Sequence, residues 1–227
     1  MGKEDRSRGF YRHTPKKRSF RKHRLIIASL LAGCALSHPA LAIEPPRPVK
    51  SLLELRHERV MIQNWDLSCG AAALGTILKY QYDDPVSERE IAKALISRDE
   101  YLENPSMVKA RLGFSLLDLK RYVDARGYGG IGYGKLELHD LIERAPVIVP
   151  ISVAGYSHFV VFRGIRGNRI LIADPAWGNR TLTLDEFENA WLTYPEFGRV
   201  GFVVAHEDET LPPNRLAPRP DDFVFLR

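Results

Sequence analysis

Cysteine is scarce in this sequence: 227 residues hold two, Cys34 and Cys69. Two thiols cannot build the multi-bridge framework of a small disulfide scaffold. There is no paired-cysteine motif, and His57, His139 and His206 are scattered without ligand spacing, so a zinc site is not expected. No other metal or cofactor is expected either. Long apolar runs are missing as well, since a membrane-spanning helix needs about 20 such residues and none of that length occurs. The glycine-rich stretch from Gly127 to Gly134 reads as a loop, but it lacks the lysine and the spacing of a phosphate cradle.

Positive charge is also scarcer than the formal +5 suggests. Residues 1–24 carry ten Lys or Arg against Glu4 and Asp5. From Ile43 onward the chain has 23 basic and 26 acidic residues, a slight acidic excess. The basic balance belongs to the N-terminal segment, so a nucleic-acid partner is not expected.

That segment has the layout of an export signal. Basic residues up to Arg24 precede the apolar stretch Leu25–Leu36, which is followed by Pro39 and the small-x-small site Ala40-Leu41-Ala42. Residues 1–42 are therefore expected to direct the chain to the periplasm or otherwise out of the cytoplasm, with cleavage after Ala42. The alternative is a lipoprotein: Leu31-Ala32-Gly33-Cys34 resembles a lipidation box, which would tether the chain to a membrane through Cys34. After cleavage at Ala42 the chain would keep one thiol, Cys69, and could form no internal disulfide.

Residues 43–59 read as a linker, rich in proline at its start (Pro45, Pro46, Pro48). Cys69 opens an Ala-rich helical stretch running to Tyr80. Ser87 with Glu90, Ser115, and Thr183 with Glu186 are helix-start signals, and a short helix is expected from Glu137 to Arg144. The period then changes: Val147–Ile151, His158–Ile165, Arg169–Ala173 and Val200–Ala205 read as strands. Helices followed by an antiparallel sheet give an α+β fold over residues 60–205. Residues 206–227, polar and proline-rich, are expected as a loosely attached tail.

Four positions suggest chemistry. Cys69, at a helix start, lies near free backbone N–H groups that favour its thiolate, the nucleophilic form. A two-residue hairpin at Arg166-Gly167 would put His158 opposite Asp174 or its neighbour, close enough for a carboxylate to fix the imidazole tautomer. Gln63, across a turn from Cys69, can aim its amide where the Cys69 N–H points, and two such donors would hold an oxyanion. Trp65 and Trp177 flank these residues in sequence, as cleft-lining or core side chains.

Gln63-x5-Cys69-Gly70-Ala71-Ala72, then His158-Phe159-Val160-Val161, then Ile172-Ala173-Asp174-Pro175-Ala176-x-Gly178 resemble the bacteriocin-processing (double-glycine leader) cysteine peptidases, which are papain-like. Leu184-x2-Phe187-x3-Trp191 resembles the closing helix of that family. The resemblance implies a peptidase with Cys69 as nucleophile, His158 as general base and acid, Asp174 as orienting residue and Gln63 as oxyanion donor. It also implies a polypeptide substrate. Ser68 stands where the family often has Asp, and the transporter spans of typical members are missing. The leader makes exported, stand-alone relatives the nearer analogy, including a type associated with functional-amyloid secretion machinery. Two other readings of the same residues are a non-catalytic domain binding a peptide or secretion partner, and acyl transfer to an amine.

Overall fold

The computed structural model describes residues 50–97, 103 and 113–223; the expected leader lies outside them. The first helix, α1 (Leu52–His57), begins at a capping box formed by Ser51 and Glu54. It falls within the segment expected to be a linker. It docks on the sheet edge rather than extending, because Asn179 Nδ2 donates to its terminal carbonyl at Glu58 over 2.5 Å. The Arg56 guanidinium also lies 4.7 Å from the Trp177 ring centroid.

Helix α2 (Cys69–Gln81) is the central rod. Ala71, Ala72, Ala73, Leu74, Ile77 and Leu78 are all at most 1% exposed. A helix that is apolar all round belongs inside a fold, and each of its large aliphatic side chains contributes about 1.5–3 kcal/mol by burial. Helices α3 (Glu88–Ile96) and α4 (Leu116–Ala125) start at the capping boxes Ser87–Glu90 and Ser115–Asp118. Ile91, Leu95, Leu119 and Val123 are turned into the same core as α2.

A six-stranded antiparallel sheet has the order β1 (Gly129–Tyr133), β8 (Gly201–Ala205), β2 (Val147–Val153), β3 (Tyr156–Arg166), β4 (Arg169–Asp174), β5 (Gly178–Thr183). Side chains alternate between its faces. Ile148, Val161, Ala173 and Phe202 meet α2, α3 and α4. Val149, Val160, Phe162 and Ile172 turn the other way, onto α5 (Leu138–Arg144) and α6 (Leu184–Ala190), where Leu141 and Phe187 are buried. The papain-like α+β architecture expected from the sequence is present, and helices cover both faces of its sheet. A two-stranded ribbon, β6 (Thr193–Tyr194) with β7 (Gly198–Arg199), projects after α6.

Four local expectations are corrected. The glycine-rich stretch is not a loop: Gly129–Tyr133 pairs along the whole of β8. Its glycines admit close packing, since a Cβ on Gly130 would meet Val123 at 2.8 Å and the Lys120 Cα at 3.0 Å. The β3–β4 turn is Gly167-Asn168, one residue later than expected, with Gly167 in the left-handed region at φ 60°. The third concerns β5, an unforeseen edge strand. It pairs with β4 from Arg169–Thr183 to Asp174–Gly178.

Finally, residues 206–222 are not loosely attached. Leu216 is fully buried, and its carbonyl accepts from the Nε of the equally buried Arg163 at 2.8 Å. Asn214 Nδ2 donates to the Arg163 carbonyl at 2.8 Å, and Gln81 Nε2 to the Pro213 carbonyl at 2.8 Å. Polar composition conceals this attachment because backbone and amide groups make most of it. No helix among the described residues is long and apolar enough to cross a membrane.

Candidate functional site

Cys69 is the first residue of α2, and the residue before it does not cap the helix. The Ser68 hydroxyl is committed elsewhere, donating to the Trp65 carbonyl at 2.8 Å and to Glu88 Oε1. The first amides of α2 are thereby left to face the Cys69 sulfur, where the N–H groups of Phe159, Gly70 and Cys69 itself favour a thiolate. They do not prevail. Burial pushes the Cys69 thiol above its ordinary value, and the negative charge of Asp174 adds to that rise. The expected helix-start donors are in place, but burial outweighs them at the sulfur.

His158 lies on β3, its backbone paired with Ile151 of β2. It is 8% exposed. Its Nε2 lies 3.6 Å from Asp174 Oδ2, and its buried Nδ1 has no hydrogen-bond partner among the described residues. The two residues are not directly opposite. β3 and β4 pair as Arg166–Arg169, Ile165–Ile170 and Gly164–Leu171, then resume at Phe162–Ile172 with Arg163 bulged out. Continuing that register puts Val160 across from Asp174, with His158 one diagonal step beyond on the same face. An imidazole spans that diagonal.

Asp174 is 2% exposed and held from three sides. Its Oδ1 accepts the Ala176 N–H at 2.9 Å, and its Oδ2 faces both His158 and, at 3.5 Å, Arg180 Nη1. Arg180 was not among the sequence candidates, because it belongs to the unforeseen strand β5. Gln63 is tied to the same turn: its N–H donates to the Pro175 carbonyl at 2.8 Å. Its side-chain Nε2 donates to the Trp65 carbonyl at 3.0 Å. An amide nitrogen carries two hydrogens, so one of them is not used by the Trp65 carbonyl.

A cavity of about 710 Å³ opens over these groups. Cys69 and His158 share its wall with Phe114, Leu117, Tyr194 and Phe197, whereas Gln63 and Asp174 stand outside its lining. Trp65 and Trp177 are 48% and 54% exposed, so neither is a core residue. The structure thus places Cys69 and His158 on one cavity wall, sets Asp174 beside His158 and near enough for its charge to act on the sulfur, and ties Gln63 through its backbone to the turn that follows Asp174. No cluster of three or more His, Cys, Asp or Glu among the described residues could hold a metal ion.

The family model described as the peptidase C39 family matches residues 57–195. A relative named "Probable functional amyloid protease FapD" from Pseudomonas aeruginosa is 34% identical over 178 residues, 74% of this chain and 76% of the relative. A protein of the same name from Pseudomonas fluorescens is 37% identical over 147 residues, 64% of this chain and 62% of that one. Among solved structures, a double glycine motif protease from an AMS/PCAT transporter, in complex with the leader peptide, superposes with a TM-score of 0.50. It is 23% identical, over 65% of this chain and 90% of that one. The peptidase domain of Streptococcus ComA gives a TM-score of 0.51 at 16% identity, over 66% of this chain and 99% of that domain. These structures share the fold; the matched family model and the relatives carry the assignment further, and the chain belongs to the peptidase C39 family, as a cysteine-type peptidase with a papain-like fold.

Proposed function

We propose that this chain is an exported peptidase that cleaves a peptide bond in a secreted or secretion-associated polypeptide, with Cys69 as nucleophile, His158 as general base and acid, Asp174 as orienting residue and Gln63 as oxyanion donor. One observation carries the reading: Cys69 and His158 line one cavity, and the imidazole faces Asp174 through Nε2 while Nδ1 stays unpartnered. A neutral imidazole held in this way has its lone pair free for the thiol proton.

His158 Nδ1 takes the proton from Cys69, and the thiolate attacks the scissile carbonyl. The Cys69 N–H and the remaining Gln63 amide hydrogen stabilise the oxyanion. His158 then gives the proton to the departing amine, leaving a thioester. Water, deprotonated by the same nitrogen, attacks that thioester and restores the free sulfur. The Asp174 carboxylate stabilises the imidazolium that forms twice in this cycle.

The apolar lining by Phe114, Leu117, Tyr194 and Phe197 suits a substrate presenting apolar side chains beside the scissile bond. The signal-like segment 1–42 supports action outside the cytoplasm, and the naming of the Pseudomonas relatives supports a substrate within an amyloid-secretion system.

Mass spectrometry of products from a secreted-peptide library, with wild-type chain and Cys69→Ala, tests the catalytic part. Products from the wild type alone are expected, and equal cleavage by Cys69→Ala would overturn it. The N-terminal mass of the chain recovered from the exporting host tests the address. Cleavage after Ala42 is expected, a lipid on Cys34 would replace that site with an anchor, and an intact Met1 in the cytoplasm would refute export.

A further inference from the structure

Glu88 is a buried carboxylate that the mechanism above does not use. It is 3% exposed and sits in the first turn of α3, where the helix dipole favours negative charge. Its hydrogen bonds run to the turn between Gln63 and Cys69. Oε1 accepts the Asn64 N–H at 2.9 Å and the Ser68 hydroxyl, and Oε2 accepts Asn64 Nδ2 at 2.6 Å. The chain of bonds continues inward. Ser68 passes its hydroxyl hydrogen toward Glu88 and the Trp65 carbonyl, and that same carbonyl receives Gln63 Nε2. Glu88 therefore grips Asn64 and Ser68, each one residue inside an end of the seven-residue stretch Gln63–Cys69, whose first side chain and final N–H are the two oxyanion donors. Tyr156 OH, bonded to the Asp66 carbonyl at 3.0 Å, braces the middle of that turn from the His158 side.

We propose that Glu88 is a positioning residue for the oxyanion hole: its carboxylate fixes the Asn64–Ser68 turn, so that the Gln63 amide and the Cys69 N–H converge on the reacting carbonyl oxygen. The proposal rests on the assignment of Gln63 and Cys69 made above. Glu88 touches neither substrate nor sulfur. Its effect is confined to steps that build a tetrahedral oxyanion, and it leaves proton transfer between Cys69 and His158 alone.

Two small probes separate these steps. Iodoacetamide alkylates the sulfur by direct displacement and forms no oxyanion. p-Nitrophenyl acetate acylates it through a tetrahedral adduct, with release of nitrophenolate. Glu88→Gln places an NH2 group against the Asn64 amide or the Ser68 hydroxyl; it is expected to slow acylation about tenfold or more while alkylation stays within about twofold. In the double variant Glu88→Gln with Asn64→Asp, the new amide again meets an acceptor, and acylation is expected to recover. Should Glu88→Gln fail to fold, Ser68→Ala removes one link of the chain and is expected to give the same split on a smaller scale.

Equal slowing of both reactions, or no slowing of either, would overturn the proposal, as would a double variant no faster than Glu88→Gln. Wild-type chain that neither acylates nor depends on His158 would instead defeat the catalytic assignment itself, a different result from a normal wild type with a silent Glu88→Gln.

Discussion

His158 Nε2 and Asp174 Oδ2 face each other across 3.6 Å, while the other imidazole nitrogen is buried without a hydrogen-bond partner among the described residues. In the mechanism proposed above, the nitrogen beside the carboxylate keeps its hydrogen, and the other supplies the lone pair. A neutral base is what a buried thiol with a raised pKa requires. The proposed base is thus expected to govern how fast the sulfur reacts.

Alkylation rates against pH check that expectation. In His158→Ala the sulfur keeps its burial, its backbone donors and the nearby Asp174 charge, so its midpoint for iodoacetamide is expected above that of free cysteine. At pH 7 it should react about tenfold or more slowly than wild type, the share of rate a positioned base supplies. A variant as fast as wild type would remove His158 from the site.

Asp174 raises the thiol pKa by its charge. Asp174→Asn in the His158→Ala background should therefore shift the alkylation midpoint downward. In the otherwise wild-type chain the same change should cut peptide kcat instead, because the imidazolium loses its counter-charge. Measuring both backgrounds separates the carboxylate's effect on sulfur from its effect on histidine.

Gln63→Ala should lower kcat about a hundredfold with KM nearly unchanged, since a donor used only by the oxyanion stabilises the transition state and not the bound substrate. A rise in KM at constant kcat would make Gln63 a substrate contact.

The thiol also links stability to pH. Its folded pKa lies above the unfolded value near 9, so unfolding releases a proton once the pH passes that value, and the contribution present below it is lost as pH rises further. Thermal unfolding of wild type and Cys69→Ala at rising alkaline pH should show the wild type losing ground relative to the variant.

Leu216→Ala should cost about 2–5 kcal/mol in urea unfolding, as for other fully buried leucines, although it lies in a polar C-terminal stretch. A loss within about 0.5 kcal/mol, the range of surface sites, would mean that residues 206–222 leave the core in solution.

Much of this architecture was legible in the sequence. Ser87, Ser115 and Thr183 each cap the helix that their spacing predicts, because capping is a local matter settled within four residues. The thiol at the head of an Ala-rich helix, and the histidine and aspartate on neighbouring strands, were legible for the same reason. Long-range geometry was not. The edge strands Gly129–Tyr133 and Gly178–Thr183 are rich in glycine and polar residues and become strands only because β8 and β4 pair with them. Glu88 looks like any acidic residue in the first turn of a helix; only the folded chain shows its carboxylate turned away from solvent onto Asn64 and Ser68. The Arg163 bulge is equally silent, since a buried arginine has no periodicity signature.

That bulge makes the site depend on arithmetic parity. His158 reaches Asp174 only if an appropriate number of residues separates it from the turn at Gly167-Asn168, and Arg163 is the odd one in that count. Excising Arg163, or inserting one residue elsewhere between positions 158 and 166, would leave the hydrophobic alternation intact on one side of the edit and rotate the imidazole to the opposite face of the ribbon. Length changes here are tolerable in twos, never singly.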